Sequence, residues 1–105
     1  MTYGEFWLRY LRAHARPATR VLHYCGSAAA LAIIALAVYT DDYLWLVFAP
    51  VAGYSFAWGA HFYVEHNRPE TFGHPFWSLI SDFRMFFLFL SGRLASHLAA
   101  AGVGL

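Results

Sequence analysis

Three histidines and one glutamate carry the chemistry that this sequence could perform, and they are His14, His23, His61 and Glu65. His61 and Glu65 are four residues apart, so on an α-helix they stand about 40° from each other and share one face. They lie at the end of an apolar segment, residues 43–66, that is long enough to cross a bilayer. Ionisable side chains are costly at such a position, which favours a functional site.

The ligand chemistry of these residues points to a metal ion. Imidazole nitrogens combined with a carboxylate or water suit iron, zinc or nickel, and a set that leaves coordination positions open suits non-haem Fe(II) and O₂ activation. Zinc-dependent hydrolysis fits the same ligands. We predict that His14, His23 and His61 bind a divalent metal, with Glu65 as a fourth ligand or a catalytic base.

The composition predicts the class of protein that must position these residues. The chain has 105 residues, of which 60% are hydrophobic and 12% charged, whereas about a quarter of the residues in soluble domains are charged. This favours a single all-α integral membrane domain over residues 1–105. The formal net charge of +1 is too small to indicate a nucleic-acid partner. Cys25 is alone, which excludes an intrachain disulfide and a cysteine-based metal site.

Apolar periodicity divides the chain into helical segments. Residues 1–16 place aromatic side chains on one face and arginines on the other, which predicts an interfacial helix with its apolar face in lipid or protein. Residues 18–40 and 43–66 predict a transmembrane hairpin with an acidic turn between them. Residues 76–100 are apolar but interrupted by charges, and they predict a C-terminal membrane-associated helix that covers the hairpin.

The expected topology brings the histidines to one depth. Arginines before the first span and Arg68 after the second predict that both open ends are cytoplasmic, in a bacterial inner membrane. His23 and His61 each lie roughly 28–29 Å along a helix from the acidic turn, which is about one hydrocarbon thickness. Because the interfacial helix ends just before the first span, His14 should lie in the same layer.

Other polar residues near this layer are candidates for supporting roles. Arg20 or Arg68 could pair with a substrate carboxylate, since guanidinium binds carboxylates bidentately, while Arg20 could equally anchor the chain at the membrane surface. His74 lies in a turn near the layer and is a reserve ligand or a substrate contact. Asp82 is either a hydrogen-bond acceptor that orients a ligand histidine or the partner of an arginine. His97 is expected on the surface.

Two sequence elements resemble a known family. They are His14-Ala-Arg-Pro17-Ala-Thr-Arg20-Val-Leu-His23-Tyr-Cys-Gly26 and Trp58-Gly-Ala-His61-Phe-Tyr-Val-Glu65-His-Asn67-Arg68-Pro69, followed by Asp82-Phe83-Arg84-Met85. Over about residues 3–94 the chain is similar to the membrane 2-hydroxy-fatty-acid dioxygenases of phytosphingosine conversion to odd-numbered fatty acids and to their small, mostly bacterial relatives.

The resemblance implies an Fe(II)-dependent enzyme that uses O₂ to shorten a 2-hydroxy fatty acid by one carbon, the α-oxidation of fatty acids. It also implies that His14, His23 and His61 occupy the family's histidine positions and Glu65 its acidic one, whereas His66 matches no such position. The substrate would bind through its carboxylate and hydroxyl, with its acyl chain among aromatic residues Trp58, Phe62, Phe83 and Phe87.

Two other interpretations remain open at this point. His23 and His61 could be axial ligands of a haem in a membrane electron carrier. Alternatively, the histidines could form a polar interhelical network in a structural membrane protein. The sequence also leaves the oligomeric state open, with a homo-oligomer among the options.

Overall fold

The computed structural model describes residues 1–104, and 81% of the chain is helical with no strand in the described part. This confirms the predicted all-α class. The described α-helices are α1 (Tyr3–Ala13), α2 (Pro17–Thr40), α3 (Phe48–Gly59), α4 (Pro75–Leu90) and α5 (Leu94–Ala100). A π-helical turn, Ala60–Glu65, continues α3, and short 3₁₀ helices cover Tyr43–Val47 and Glu70–Phe72.

Helix α1 is amphipathic, and its apolar face is covered by protein. Thr2 caps its first turn by accepting a hydrogen bond from the Glu5 amide at 3.2 Å. The aromatic face packs against α4 and α5, and its buried residues are Phe6, Trp7, Tyr10 and Leu11. The Arg84 guanidinium on α4 lies 4.2 Å from the centre of the Trp7 ring. Helix α1 is therefore docked on the C-terminal helices.

Helix α2 forms the centre of the molecule. Arg16 is extended and Pro17 opens the helix, as expected because proline tolerates the first helical turn and disfavours helical geometry at the residue before it. Among the described residues, α2 alone is long and apolar enough to cross a membrane. A methyl group on Gly26 would lie 2.8 Å from the carbonyl oxygen of Gly53, so α2 and α3 touch backbone to backbone.

The second predicted span is divided into three kinds of helix. The Asp42 carboxylate accepts a hydrogen bond from the Leu44 amide at 3.2 Å and starts the 3₁₀ helix. Pro50 falls in the first turn of α3, where its missing N–H is tolerated. His61 and Glu65 both lie in the π-helical turn. This pair therefore does not lie in the regular α-helix that was expected for it.

The segment predicted over residues 76–100 is two helices with a sharp turn between them. Gly92 has a φ of 72°, which glycine adopts without the steric penalty of a side chain. The Gly92 amide donates to Phe89 at 3.1 Å and the Arg93 amide to Leu88 at 2.8 Å, the two hydrogen bonds of a Schellman motif. This turn lets α5 fold back against α1.

Candidate metal centre

Three histidines from three separate elements meet in the interior. His14 follows the last residue of α1, His23 lies in α2, and His61 lies in the π-helical turn. Their ligand atoms all lie within 4.8 Å of one another, and the Nε2 atoms of His14 and His23 are 2.9 Å apart. Their exposed fractions are only 0%, 3% and 2%. This group, called the His triad below, is thus shielded from bulk water.

Main-chain carbonyls fix the tautomers of two of these histidines. The Nδ1 atom of His14 lies 2.6 Å from the carbonyl oxygen of Tyr10, and that of His23 lies 3.0 Å from the carbonyl oxygen of Thr19. A carbonyl oxygen can only accept a hydrogen bond, so each Nδ1 carries the hydrogen. Neutral imidazole then has an unprotonated Nε2, the form that binds metal ions.

The third histidine is oriented by Asn67, a residue that the sequence analysis did not single out. The Asn67 amide nitrogen donates to the carbonyl oxygen of Ala13 at 3.0 Å, which turns its oxygen toward His61. That oxygen lies 2.6 Å from Nδ1 of His61. The only available signal was an amide side chain just after the predicted helix end. The Nε2 atom of His61 is therefore unprotonated, as are those of His14 and His23.

The electrostatics of the His triad keep His14 in the neutral form that a metal ligand requires. Burial, together with the neighbouring His23 and His61, holds the pKa of His14 well below its usual range. The neutral form therefore prevails, and two lone pairs on nitrogens 2.9 Å apart repel each other. A metal ion between the ligand atoms would replace that repulsion with coordination bonds. The three-histidine group could bind a metal ion, and its nitrogen donors suit iron and zinc alike.

Glu65 lies outside this group of mutually close ligand atoms. Its carboxylate accepts hydrogen bonds from the Thr19 hydroxyl and, at 3.3 Å, from the Arg16 amide. Both donors belong to the beginning of α2, where unpaired amides attract anions. The Thr19 carbonyl orients His23, so Glu65 is linked to the His triad through Thr19.

Asp82 also contacts the site indirectly. The Tyr10 hydroxyl donates a hydrogen bond to its carboxylate, and the Tyr10 carbonyl orients His14. Among the described residues Asp82 forms neither a hydrogen bond to a histidine nor a salt bridge to an arginine. Burial raises the pKa of Asp82 to about 7, although the hydrogen bond from Tyr10 lowers it.

The two arginines predicted to bind substrate have different environments. Nη1 of Arg20 is buried and donates to the carbonyl oxygens of His14 at 2.8 Å and Ala15 at 2.9 Å. It donates hydrogen bonds to carbonyl groups at the end of α1, where no helical amide is available to them. Arg68 is exposed, and its guanidinium lies 5.3 Å from the centre of the Phe72 ring. Of the two, Arg68 keeps its donors available to a ligand.

The remaining histidines are separate from the His triad. The His74 ring stacks on Trp77 and meets the edge of Phe6, both at 5.2 Å between centroids. His74 is therefore part of the aromatic packing between α1 and α4. His97 was expected on the surface; it is half-buried and accepts a hydrogen bond from the Trp7 indole at 3.1 Å.

A groove of about 280 Å³ begins at the His triad and runs between α2, α3 and α4. His23 lines one end of it. Of the aromatic residues expected around an acyl chain, Phe83 lines the groove, whereas Trp58, Phe62 and Phe87 do not. Small residues of α2 and α3 replace them, because the two backbones approach closely there.

Comparison with known proteins bears directly on this site. No curated protein and no solved structure matches the chain. Residues 1–94 match the family described as 2-hydroxy-palmitic acid dioxygenase Mpo1-like, and this range contains the whole His triad, Asn67 and Asp82. The description implies a dioxygenase-type function on 2-hydroxy fatty acids. The resemblance seen in the sequence is thereby confirmed, and the chain belongs to the Mpo1-like family.

Proposed function

We propose that this protein is an Fe(II)-dependent dioxygenase that shortens 2-hydroxy fatty acids by one carbon with O₂. The observation that carries the proposal is the convergence of three unprotonated Nε2 atoms in a buried site. His14, His23 and His61 would hold the ion. Bound Fe(II) would supply the one-electron chemistry that O₂ requires, and three protein ligands leave coordination positions for substrate and O₂.

The protein's own residues prepare the site in two ways. The carbonyls of Tyr10 and Thr19 and the amide of Asn67 fix the three ring orientations before any ion arrives, which strengthens metal binding. Three neutral histidines also leave the charge of a divalent ion uncompensated. That charge would attract the carboxylate of a 2-hydroxy acid.

Two further residues have proposed roles toward the substrate. Arg68, with its exposed guanidinium, would pair with the substrate carboxylate, whereas Arg20 maintains the end of α1. Glu65 would be the base that accepts a proton from the substrate. To reach the His triad directly, its carboxylate would have to leave the Thr19 hydroxyl and the Arg16 amide.

A membrane location agrees with this substrate. We propose that α2 and the segment over residues 43–65 form a transmembrane hairpin, with both open ends in the cytoplasm and the His triad at the cytoplasmic boundary. Lipid would then surround the exposed apolar residues, and a 2-hydroxy fatty acid released from membrane lipid would reach the site by diffusing within the bilayer.

The two alternative functions fit the geometry less well. The His14 ring centroid lies 4.2 Å from that of His23 and 4.5 Å from that of His61. A haem would need the His23 and His61 rings on its two opposite faces, whereas here the His14 ring lies beside both of them. In a purely structural network, His14 and His23 would share a hydrogen bond between their Nε2 atoms. The carbonyl acceptors at both Nδ1 atoms oppose that arrangement, since it needs a proton on one Nε2.

The proposal is tested by elemental analysis of anaerobically purified protein, followed by an aerobic assay with 2-hydroxypalmitic acid. Wild-type protein should contain iron and release a product one carbon shorter. His61→Ala should lose both, and His66→Ala is the matched control because His66 is exposed and outside the His triad. Folded wild-type protein that takes up no iron would refute the proposal. A Soret band would also refute it, because it indicates bound haem and not non-haem iron.

A further inference from the structure

The groove at the His triad has walls of unusual composition. Helix α2 contributes one stripe of residues at helical spacing and α3 a second stripe beside it, with Phe83 and Leu79 of α4 at the side. Half of the ten lining residues on α2 and α3 are glycine or alanine: Gly26, Ala30, Ala49, Gly53 and Ala57. Small residues let the two backbones touch at Gly26 and Gly53, so the groove runs over this contact and not through it.

Polarity changes along this groove. Two polar lining residues are His23, which belongs to the His triad, and Asp82, which accepts a hydrogen bond from Tyr10. The others are Ser27, one turn after His23, and Tyr54 on α3. Beyond Ala30 the lining is apolar and ends at Ile34, Ala49 and Pro50. No arginine lines the groove. A ligand that fits must therefore be polar at one end and apolar along the rest.

The groove is also long. Ile34 follows His23 by eleven residues on one helix, which corresponds to about 16 Å along the axis. A volume of about 280 Å³ over this length suits a single flexible chain and not a folded partner.

We infer that this groove binds the acyl chain of the substrate, with the head at His23 and the chain along α2, and that Ala30 and Ile34 set the chain length. The inference rests on the proposed function for the identity of the head group. It places the chain over the line of contact between α2 and α3, beside α4, and away from Trp58, Phe62 and Phe87. Chain-length preference then depends on residues with no contact to the metal site.

Chain-length profiles test the role of Ala30. Ala30→Leu blocks the groove about two-thirds of the way from His23 to Ile34, so kcat/KM for 2-hydroxypalmitic acid should fall at least about tenfold, the loss expected when only two methylenes lose their burial. Activity with 2-hydroxyoctanoic acid should stay within about twofold of wild type. Ala32→Leu is the control, because Ala32 is exposed on the same helix and lies outside the groove.

A second pair of variants covers the case in which Ala30→Leu disturbs helix packing. Ile34 and Leu36 are both 38% exposed on α2, but only Ile34 lines the groove. Ile34→Trp should reduce turnover of 2-hydroxypalmitic acid selectively, whereas Leu36→Trp should leave both acids unaffected. Identical chain-length profiles in wild-type protein, Ala30→Leu and Ile34→Trp would overturn the inference.

Photo-crosslinking provides a readout that needs no turnover. A 2-hydroxypalmitic acid with a diazirine at its last carbon should label peptides that contain Ile34, Ala49 or Pro50, and unlabelled acid should compete. Labelling there without activity would refute the proposed function and leave the groove assignment standing. Activity with labelling elsewhere would refute the groove assignment alone, as would crosslinks between two copies of the chain through these residues.

Discussion

His14 shows how the end of a helix can build a metal ligand. The last carbonyls of an α-helix have no amide partner within the helix. The His14 amide bonds to the Leu11 carbonyl at 3.1 Å, which leaves the Tyr10 carbonyl available to the His14 ring. The side chain is thereby held in one orientation and one tautomer, and burial keeps it neutral. The position of His14 one residue beyond α1 is thus part of its chemistry.

At the scale of single residues, substitution of Asn67 tests whether His61 needs an orienting partner to bind a metal ion. Asn67→Ala removes the acceptor for Nδ1 of His61 and the bridge to Ala13, so metal affinity should fall by about 10- to 100-fold. Competition with a chelating dye measures this affinity. His66→Ala, which changes the adjacent exposed side chain, should leave the affinity unchanged. Equal affinities for Asn67→Ala and wild-type protein would show that His61 needs no orienting partner.

Residue types and spacing identified the His triad, but they did not identify what orients it. His14, His23 and His61 could be placed at one depth by counting along helices. Acceptors such as the carbonyls of Tyr10 and Thr19 exist at every residue, so sequence cannot single them out. Glu65 was expected to face the metal with His61, yet the π-helical turn and the start of α2 direct it to Thr19. Its role as a ligand or base stays a prediction.

At the scale of elements, the contact between α2 and α3 determines whether His23 and His61 can share an ion. These residues lie on α2 and just after α3, and the helices are in close backbone contact at Gly26 and Gly53. A side chain at Gly26 would push the two helices apart because the obstacle is backbone rather than a flexible side chain. The distance between the two ligands depends on that contact.

Gly26→Ala should therefore weaken metal binding without removing any ligand. The added methyl group would meet the Gly53 carbonyl at 2.8 Å, and overpacking of this kind destabilises proteins by about 1–3 kcal/mol. Gly59→Ala is the control, since its methyl group would meet nothing within 4 Å and alanine favours helix. Thermal unfolding with and without metal measures both effects. If Gly26→Ala bound metal like Gly59→Ala, the helix contact would not control the site.

Several boundaries of the elements could be predicted because single residues determine them. Pro17 marks the start of α2, and the acidic pair at residues 41–42 follows its end. The break at Gly92 was not predicted, because glycine is also tolerated within apolar helices and only the packing of α5 on α1 requires the turn. The π-helical turn was not predicted either, because no residue type in it marks a π-helix.

At the scale of the whole molecule, large apolar residues are exposed in several places, including Tyr63 at 82% and Phe76 at 80%. Around the connection from α2 to α3, large hydrophobic residues are strongly exposed, with Tyr39 at 89% and Leu44 at 75%. The opposite end carries the His triad, which α1 and the polar residues of the site surround. The molecule is 44 Å long, more than the roughly 30 Å of a bilayer's hydrocarbon core. The long axis is therefore sufficient for the proposed transmembrane hairpin.

Accessibility of single cysteines tests that orientation. In a Cys25→Ala background, Asp41→Cys lies at the end of α2 and Arg12→Cys on the exposed face of α1. A membrane-impermeant maleimide added to intact cells should label Asp41→Cys, and inverted membrane vesicles should reverse the pattern. Detergent-solubilised samples serve as the control, in which both positions should react. Labelling of both positions from the same side would exclude the hairpin and leave a protein that lies on one leaflet, because helices that cross the bilayer must expose their two ends to different compartments.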